Sequence, residues 1–183
     1  MSLTRIIQPI FASRRRALDK YQTQAEQLQM QVLHRLVNKA KDTEWGRNHG
    51  FASVSSYEDF AKTSDVNTYE ELKLAIDRMR QGESDILWPG KVRWYAKSSG
   101  TTNDKSKFIP VSKDGLKDTH YAGGRDAVTW YLRNNPQSRI FDGKALILGG
   151  SHVPNYNTKN SLVGDLSAIL IELIEHIEGI VTL

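Results

Sequence analysis

Residues 98–107, Ser-Ser-Gly-Thr-Thr-Asn-Asp-Lys-Ser-Lys, form a polar run between two short apolar segments, and this arrangement constrains the chain more than any other stretch. Before it, Val92-Arg93-Trp94-Tyr95-Ala96 has the β-branched and aromatic content of a strand; after it, Phe108-Ile109-Pro110-Val111 reads as a second. The polar run therefore joins strand to strand. That separates it from loops that feed a helix and hold phosphate on the helix dipole. Gly100 is followed after four residues by Lys105-Ser106, a near miss to a P-loop, but no glycine stands just before the lysine and that reading fails. What remains is phosphate chemistry of another form. Gly100 opens backbone amides, the hydroxyls of Ser98, Ser99, Thr101 and Thr102 can donate to phosphate oxygens, and a lysine neutralises their charge. On composition alone, an exposed polar hairpin accounts for the same residues.

Upstream, apolar positions from Leu18 through Tyr21, Ala25, Leu28, Val32 and Leu36 keep helical spacing and predict a long amphipathic helix, with Gly46 and Gly50 ending it or a successor. Residues 55–60 read as a short capped helix. Thr68 with Glu71 makes a capping box for a helix running to Arg80, which Gln81-Gly82 stops, and Trp88-Pro89-Gly90 is a turn. Downstream, Ser112 and Asp114 open a helix ending at Asn134-Asn135-Pro136, and its Gly123-Gly124 suggests close approach of a backbone or ligand, or a kink. Residues 144–148 are a continuous apolar run, expected to be a strand covered on both faces of an α/β sheet. The adjoining Gly149-Gly150-Ser151 is a second candidate site, because such folds bind ligands at strand C-termini, although a plain Gly-Gly turn is the simpler reading. From Leu162 the spacing is helical to the C-terminus, giving an expected helix over 162–183. His34 and His49 lack ligand partners at metal spacing, His152 lacks an identifiable partner for a role as base, and no catalytic or metal-binding residue is assigned.

Charge narrows the partners. The net formal charge is +4, and the excess is N-terminal: residues 1–50 carry nine Lys or Arg against four Asp or Glu. Arg5, Arg14, Arg15 and Arg16 fit the solvated face of a first helix, and the nearby aromatics do not interleave with them as a stacking platform would. No nucleic-acid partner is expected. There is no cysteine and no secretory leader, and no apolar run is long enough to span a bilayer, so a cytoplasmic protein without a membrane partner is expected.

The loop Ser98-Ser99-Gly100-Thr101-Thr102, ending in Lys107, resembles the ATP-phosphate loop of the acyl-adenylate-forming superfamily. It is most similar to the bacterial branch of the auxin-responsive (Gretchen Hagen) family of acyl-acid amido synthetases. Residues 42–50, 68–73, 76–79 and 81–83 resemble that family's segments in the same order, and the similarity runs from about Leu28 to about Ile171. The resemblance implies an α/β fold, the N-terminal part of the adenylate-forming large domain with helices packed on a mixed β-sheet. It implies ATP and Mg as cofactors, a small carboxylic acid as substrate, Ser98, Ser99, Gly100, Thr101, Thr102 and Lys107 on the ATP phosphates, and Gly149, Gly150 and Ser151 near the acyl group. The family is several hundred residues long. The expectation is thus one incomplete domain over 1–183, with a basic helical lead-in over 1–50, weak or no activity alone, and self-association or a separately encoded remainder as the alternative role.

Overall fold

The computed structural model describes residues 2–98, 106–144, 146 and 148–175. In chain order, helices α1 (Leu3–Asp19), α2 (Ala25–Ala40), α3 (Glu44–Asn48), α4 (Tyr57–Thr63) and α5 (Tyr69–Arg80) precede strands β1 (Trp94–Lys97) and β2 (Phe108–Val111). Then come a single turn, α6 (Lys113–Gly115), a wider π-type segment over Leu116–Tyr121, and α7 (Ala122–Asn134). The last elements are β3 (Leu162–Gly164) and α8 (Leu166–Glu175).

Helices α4 and α5 start where local chemistry dictates. The Asp59 carboxylate accepts from the Ser55 and Ser56 N–H groups, and the Ser56 hydroxyl accepts from Asp59 N–H at 3.1 Å. Glu71 accepts from both Thr68 N–H and the Thr68 hydroxyl at 2.6 and 2.8 Å, which satisfies donors that a helix N-terminus leaves unpaired. At the far end of α5, Gly82 takes a φ of +101°, a left-handed conformation that stops the helix.

Two compact units divide the chain. One comprises residues 1–29 and 113–147, the other residues 30–112 and 148–182, with α2 crossing the division. In the first, α1 packs along α7, and Asp142 anchors the start of α1: its carboxylate accepts from Thr4 N–H at 2.9 Å, the Ser2 hydroxyl at 3.0 Å and the Thr4 hydroxyl at 3.1 Å. The Thr4 hydroxyl in turn accepts from Phe141 N–H. Arg14 and Asp126 form a two-point ion pair at 2.7 and 2.8 Å between the same helices.

In the second unit the sheet has the order β2-β1-β3, with β1 antiparallel to β2 and parallel to β3. Helix α5 lays Ile76 and Met79 on this sheet against Tyr95 and Val163, with Ile86 and Val92 completing the core. Tyr95 and Ile169 are 0 % exposed. A satellite cluster of Val37, Ala40 and Phe51 joins α2 to the segment before α4. Helices packed on a mixed sheet are the expected class.

Four local expectations change. The single helix from Leu18 is broken: residues 20–22 form a 3-10 turn, and α2 starts at Ala25. A 3-10 turn also brings every third residue to one side, so apolar spacing runs through the break unseen. Of the run 144–148, expected to be a covered strand, Lys144, Leu146 and Leu148 lie outside any strand, Leu146 and Leu148 are 85 % and 83 % exposed, and Ala145 and Ile147 lie outside the described residues. An apolar run becomes a strand only beside a partner, and the described residues offer it none. The expected helix over 162–183 begins at Leu166, because Leu162, Val163 and Gly164 pair with β1; residues 176–183 lie outside the described residues. Finally, among the described residues an ideal Cβ on Gly123 or Gly124 would meet nothing within 4 Å, so none of their backbone approaches that pair closely.

A candidate phosphate-binding hairpin and its surroundings

Of the expected phosphate-loop residues, Ser98 and Lys107 lie within the described structure, whereas Ser99, Gly100, Thr101 and Thr102 fall outside it. Ser98 and Lys107 close the hairpin on each other. The β1–β2 register pairs Lys97 with Phe108, and one step further Ser98 N–H donates to the Lys107 carbonyl at 2.9 Å. Lys107 N–H donates back to the Ser98 hydroxyl at 3.1 Å. The Ser98 hydroxyl thus holds the two feet of the loop together while its own proton is free to point elsewhere.

Aromatic side chains support these feet. The Lys107 ammonium sits 5.5 Å from the centroid of Tyr69, the first residue of α5, and the Tyr69 hydroxyl accepts from Phe108 N–H at 2.9 Å. Lys97 lies 4.4 Å from the ring centroid of Tyr156, and the Arg80 guanidinium lies 3.9 Å over Phe108. For an exposed cation such as Lys107 the contact is worth about 0.5–1 kcal/mol, enough to orient the lysine but not to neutralise it. Tyr69, Lys97 and Tyr156 were not singled out from sequence for this role. Tyr69 stands directly after a helix cap, and nothing local to it signals a hairpin far downstream.

The second candidate group lies at the same end of the sheet. Ala96 of β1 pairs with Gly164 of parallel β3, so Ser98 and Asp165 both leave the strands at their C-terminal end. His152 bridges Gly164 from the other side. Ser151 N–H donates to the Asp165 carboxylate at 2.9 Å and Gly150 N–H to the Ser167 hydroxyl at 2.8 Å, tying the Gly149-Gly150-Ser151 turn to the start of α8. Gly150 is needed there, whereas a side chain at Gly149 would crowd only the flexible tip of Ile171. A Cβ on Gly149 would lie 2.4 Å from Ile171 Cδ1, and one on Gly150 would lie 2.3 Å from an Asp165 carboxylate oxygen. His152 has a neighbour that its sequence position did not disclose: Nε2 lies 3.8 Å from Glu172 Oε2, and its ring packs on Trp94 at 5.7 Å.

Among the described residues no group of three or more His, Asp or Glu side chains gathers to hold a metal ion, and no helix is long and apolar enough to cross a membrane. The hairpin feet suit an anion. They offer a lysine on an aromatic support and a hydroxyl at the mouth of a loop rich in further hydroxyls.

Comparison with known proteins gives these features a context. The GH3 family N-terminal domain matches residues 14–175. Indole-3-acetic acid-amido synthetase GH3.6 of Arabidopsis thaliana is 28 % identical over 95 residues, which cover 51 % of this chain and 16 % of that protein. Jasmonoyl-L-amino acid synthetase JAR4 of Nicotiana attenuata is 24 % identical over 123 residues, covering 67 % of this chain and 21 % of the relative. Among solved structures, a GH3.15 acyl acid amido synthetase superposes with a TM-score of 0.67 at 24 % identity, over 85 % of this chain and 28 % of that one; at that identity the likeness concerns the fold. The chain therefore spans less than a third of the length of these proteins.

Proposed function

The chain belongs to the GH3 family through its N-terminal domain, and from that premise we propose that it holds the β- and γ-phosphates of ATP for an acyl-acid amido synthetase. In that reading a carboxylate attacks the α-phosphate of Mg-ATP, pyrophosphate leaves, and an amino acid's amine then displaces AMP to give an amide. The part of these residues is positioning and charge neutralisation, the main levers in phosphate chemistry. Ser98, Lys107 and the intervening Ser99, Gly100, Thr101 and Thr102 would hold the phosphates. Gly149, Gly150 and Ser151 would lie toward the acyl substrate. Magnesium would enter as part of the Mg-ATP substrate.

What supports the reading most is the hairpin itself: Ser98 and Lys107, two members of the expected loop, are bonded at its feet in a chain of this family. A charge-assisted hydrogen bond is worth about 1.5–3 kcal/mol, so loss of the Lys107 ammonium should weaken nucleotide binding by roughly tenfold to a hundredfold. Calorimetric titration of the full chain with Mg-ATP tests this. Saturable binding that falls by that factor in Lys107→Ala is expected; no binding by folded protein, or equal binding by the variant, overturns it. The chain alone is expected to turn over weakly or not at all, and pyrophosphate release from ATP across a panel of carboxylates, above the Lys107→Ala control, would refute that.

A second reading, self-association or pairing with a separately encoded remainder, is favoured by the exposure of Leu146 and Leu148 and of Leu3, Ile6 and Ile10 on one side of α1. Sedimentation velocity showing a monomer at all concentrations, with and without lysate, would refute it.

A further inference from the structure

At the opposite end of the sheet from the hairpin, a surface cleft of about 180 Å³ is lined by Gly82, Lys91, Val92, Arg93, Lys159 and Asn160. Three of its six lining residues are cations and none is an acid. Among the described residues no ion pair engages Lys91, Arg93 or Lys159. The nearest acid in sequence to Gly82, Glu83, is committed to Arg78 at 2.8 Å. Three like charges around one concavity repel each other, which costs stability unless an anion relieves it.

The backbone that carries these charges is fixed from three directions. Arg93 immediately precedes β1, and its carbonyl accepts from Leu162 N–H at 2.8 Å. Lys159 and Asn160 sit on a tight turn, where the Thr158 hydroxyl accepts from Asn160 and Ser161 N–H, and Thr158 N–H donates to the Ser161 carbonyl at 2.9 Å. That turn is pinned to the end of α5: the Thr158 hydroxyl donates to the Arg80 carbonyl at 3.0 Å, and the Asn160 amide donates to the Gln81 carbonyl at 2.6 Å. Gly82 permits the contact, since a Cβ there would lie 2.7 Å from Asn160. Buried Val92 forms the floor, at 5 % exposure. The scaffold is thus ordered before any ligand arrives, and only the cation tips need to move.

We propose that this cleft is a binding site for a small polyphosphate anion, separate from the hairpin. Its volume is below the roughly 300 Å³ at which pockets for nucleotide-sized ligands begin, which favours a compact anion over a nucleoside triphosphate. High charge density suits three cations better than a single carboxylate does. The inference is independent of the ATP reading, because Arg93 and Ser161 lead into the N-terminal ends of β1 and β3, whereas Ser98 and Asp165 follow their C-terminal ends.

The test is titration of the full chain with inorganic pyrophosphate, followed by amide nitrogen and proton shifts at constant ionic strength, beside Lys107→Ala and the double variant Lys91→Gln/Lys159→Gln. Both substituted lysines are exposed, so the double variant should fold. Expected are saturable shifts at Gly82, at 91–93 and at 159–160, unchanged in Lys107→Ala. They should need about tenfold more pyrophosphate in the double variant, a two- to fivefold loss for each exposed charge. Shifts confined to 98–107, equal shifts with sodium chloride, or no saturable shift in folded protein would each overturn the assignment.

Discussion

Removing one oxygen from the middle of the sheet should change how stability depends on pH. Tyr95 is 0 % exposed in β1, and its hydroxyl donates to the Val92 carbonyl at 3.1 Å. Burial pushes its phenol up from 10.0 to about 12, with a smaller opposing pull from the Arg80 charge. In Tyr95→Phe the hydrogen bond is lost, which costs about 1 kcal/mol at neutral pH. The unfolded chain releases the Tyr95 proton near pH 10 and the folded chain only near 12, so between those values the unfolded state binds fewer protons and wild-type stability falls as pH rises. The slope is about 1.36 kcal/mol per pH unit, for at most about 2.7 kcal/mol across the window. Tyr95→Phe lacks this loss, while every other tyrosine and lysine titrates alike in both proteins. The two stability curves should therefore cross between about pH 10.5 and about pH 11, with wild type the more stable below and the variant above. Urea unfolding followed by circular dichroism on both proteins, from about pH 8 to about pH 11.5, measures the difference. A difference that stays constant with pH would refute the reasoning, because a phenol open to water in the folded state has no reason to titrate differently there.

Asp142 makes the complementary prediction at acid pH. Bonds from the Thr4 N–H and then from Arg139 hold its carboxyl far below the usual carboxylate range, so its contribution is present above the unfolded value near 4 and lost as pH falls through the folded one. Asp142→Asn should lower the thermal midpoint at neutral pH and flatten the fall below about pH 4; an unchanged acid limb would show that α1 does not depend on this carboxylate. Gly46→Ala should be strongly destabilising, since a Cβ would lie 2.0 Å from the Ala40 carbonyl oxygen, and a midpoint equal to wild type would mean that α3 can shift away from α2. Gly123→Ala faces open space within α7 and should gain about 0.5–1 kcal/mol in the same melting assay; a loss would mean that the glycine serves the helix.

Where an element depends on residues next to it in the chain, its sequence was sufficient. The starts of α4 and α5 were legible because Ser56 with Asp59, and Thr68 with Glu71, satisfy helix-end donors within a single turn. The strand-loop-strand over 92–111 was legible because β-branched and aromatic residues flank a run that can only be a connection. The ordered motifs around it resembled the family to which the chain belongs. Tertiary structure decided what depends on a distant partner. Leu162, Val163 and Gly164 share the helical spacing of the apolar residues in α8, yet they are a strand, because β1 offers hydrogen bonds from far along the chain. Residues 144–148 have the composition of a strand, yet Leu146 and Leu148 lie exposed outside one. The support of Lys107 by Tyr69, the clamp of Asp142 on Thr4, and the gathering of Lys91, Arg93 and Lys159 around one cleft share the same cause. Each joins side chains whose meeting depends on how helices and strands pack, and side-chain pattern along a single element carries no record of its neighbour.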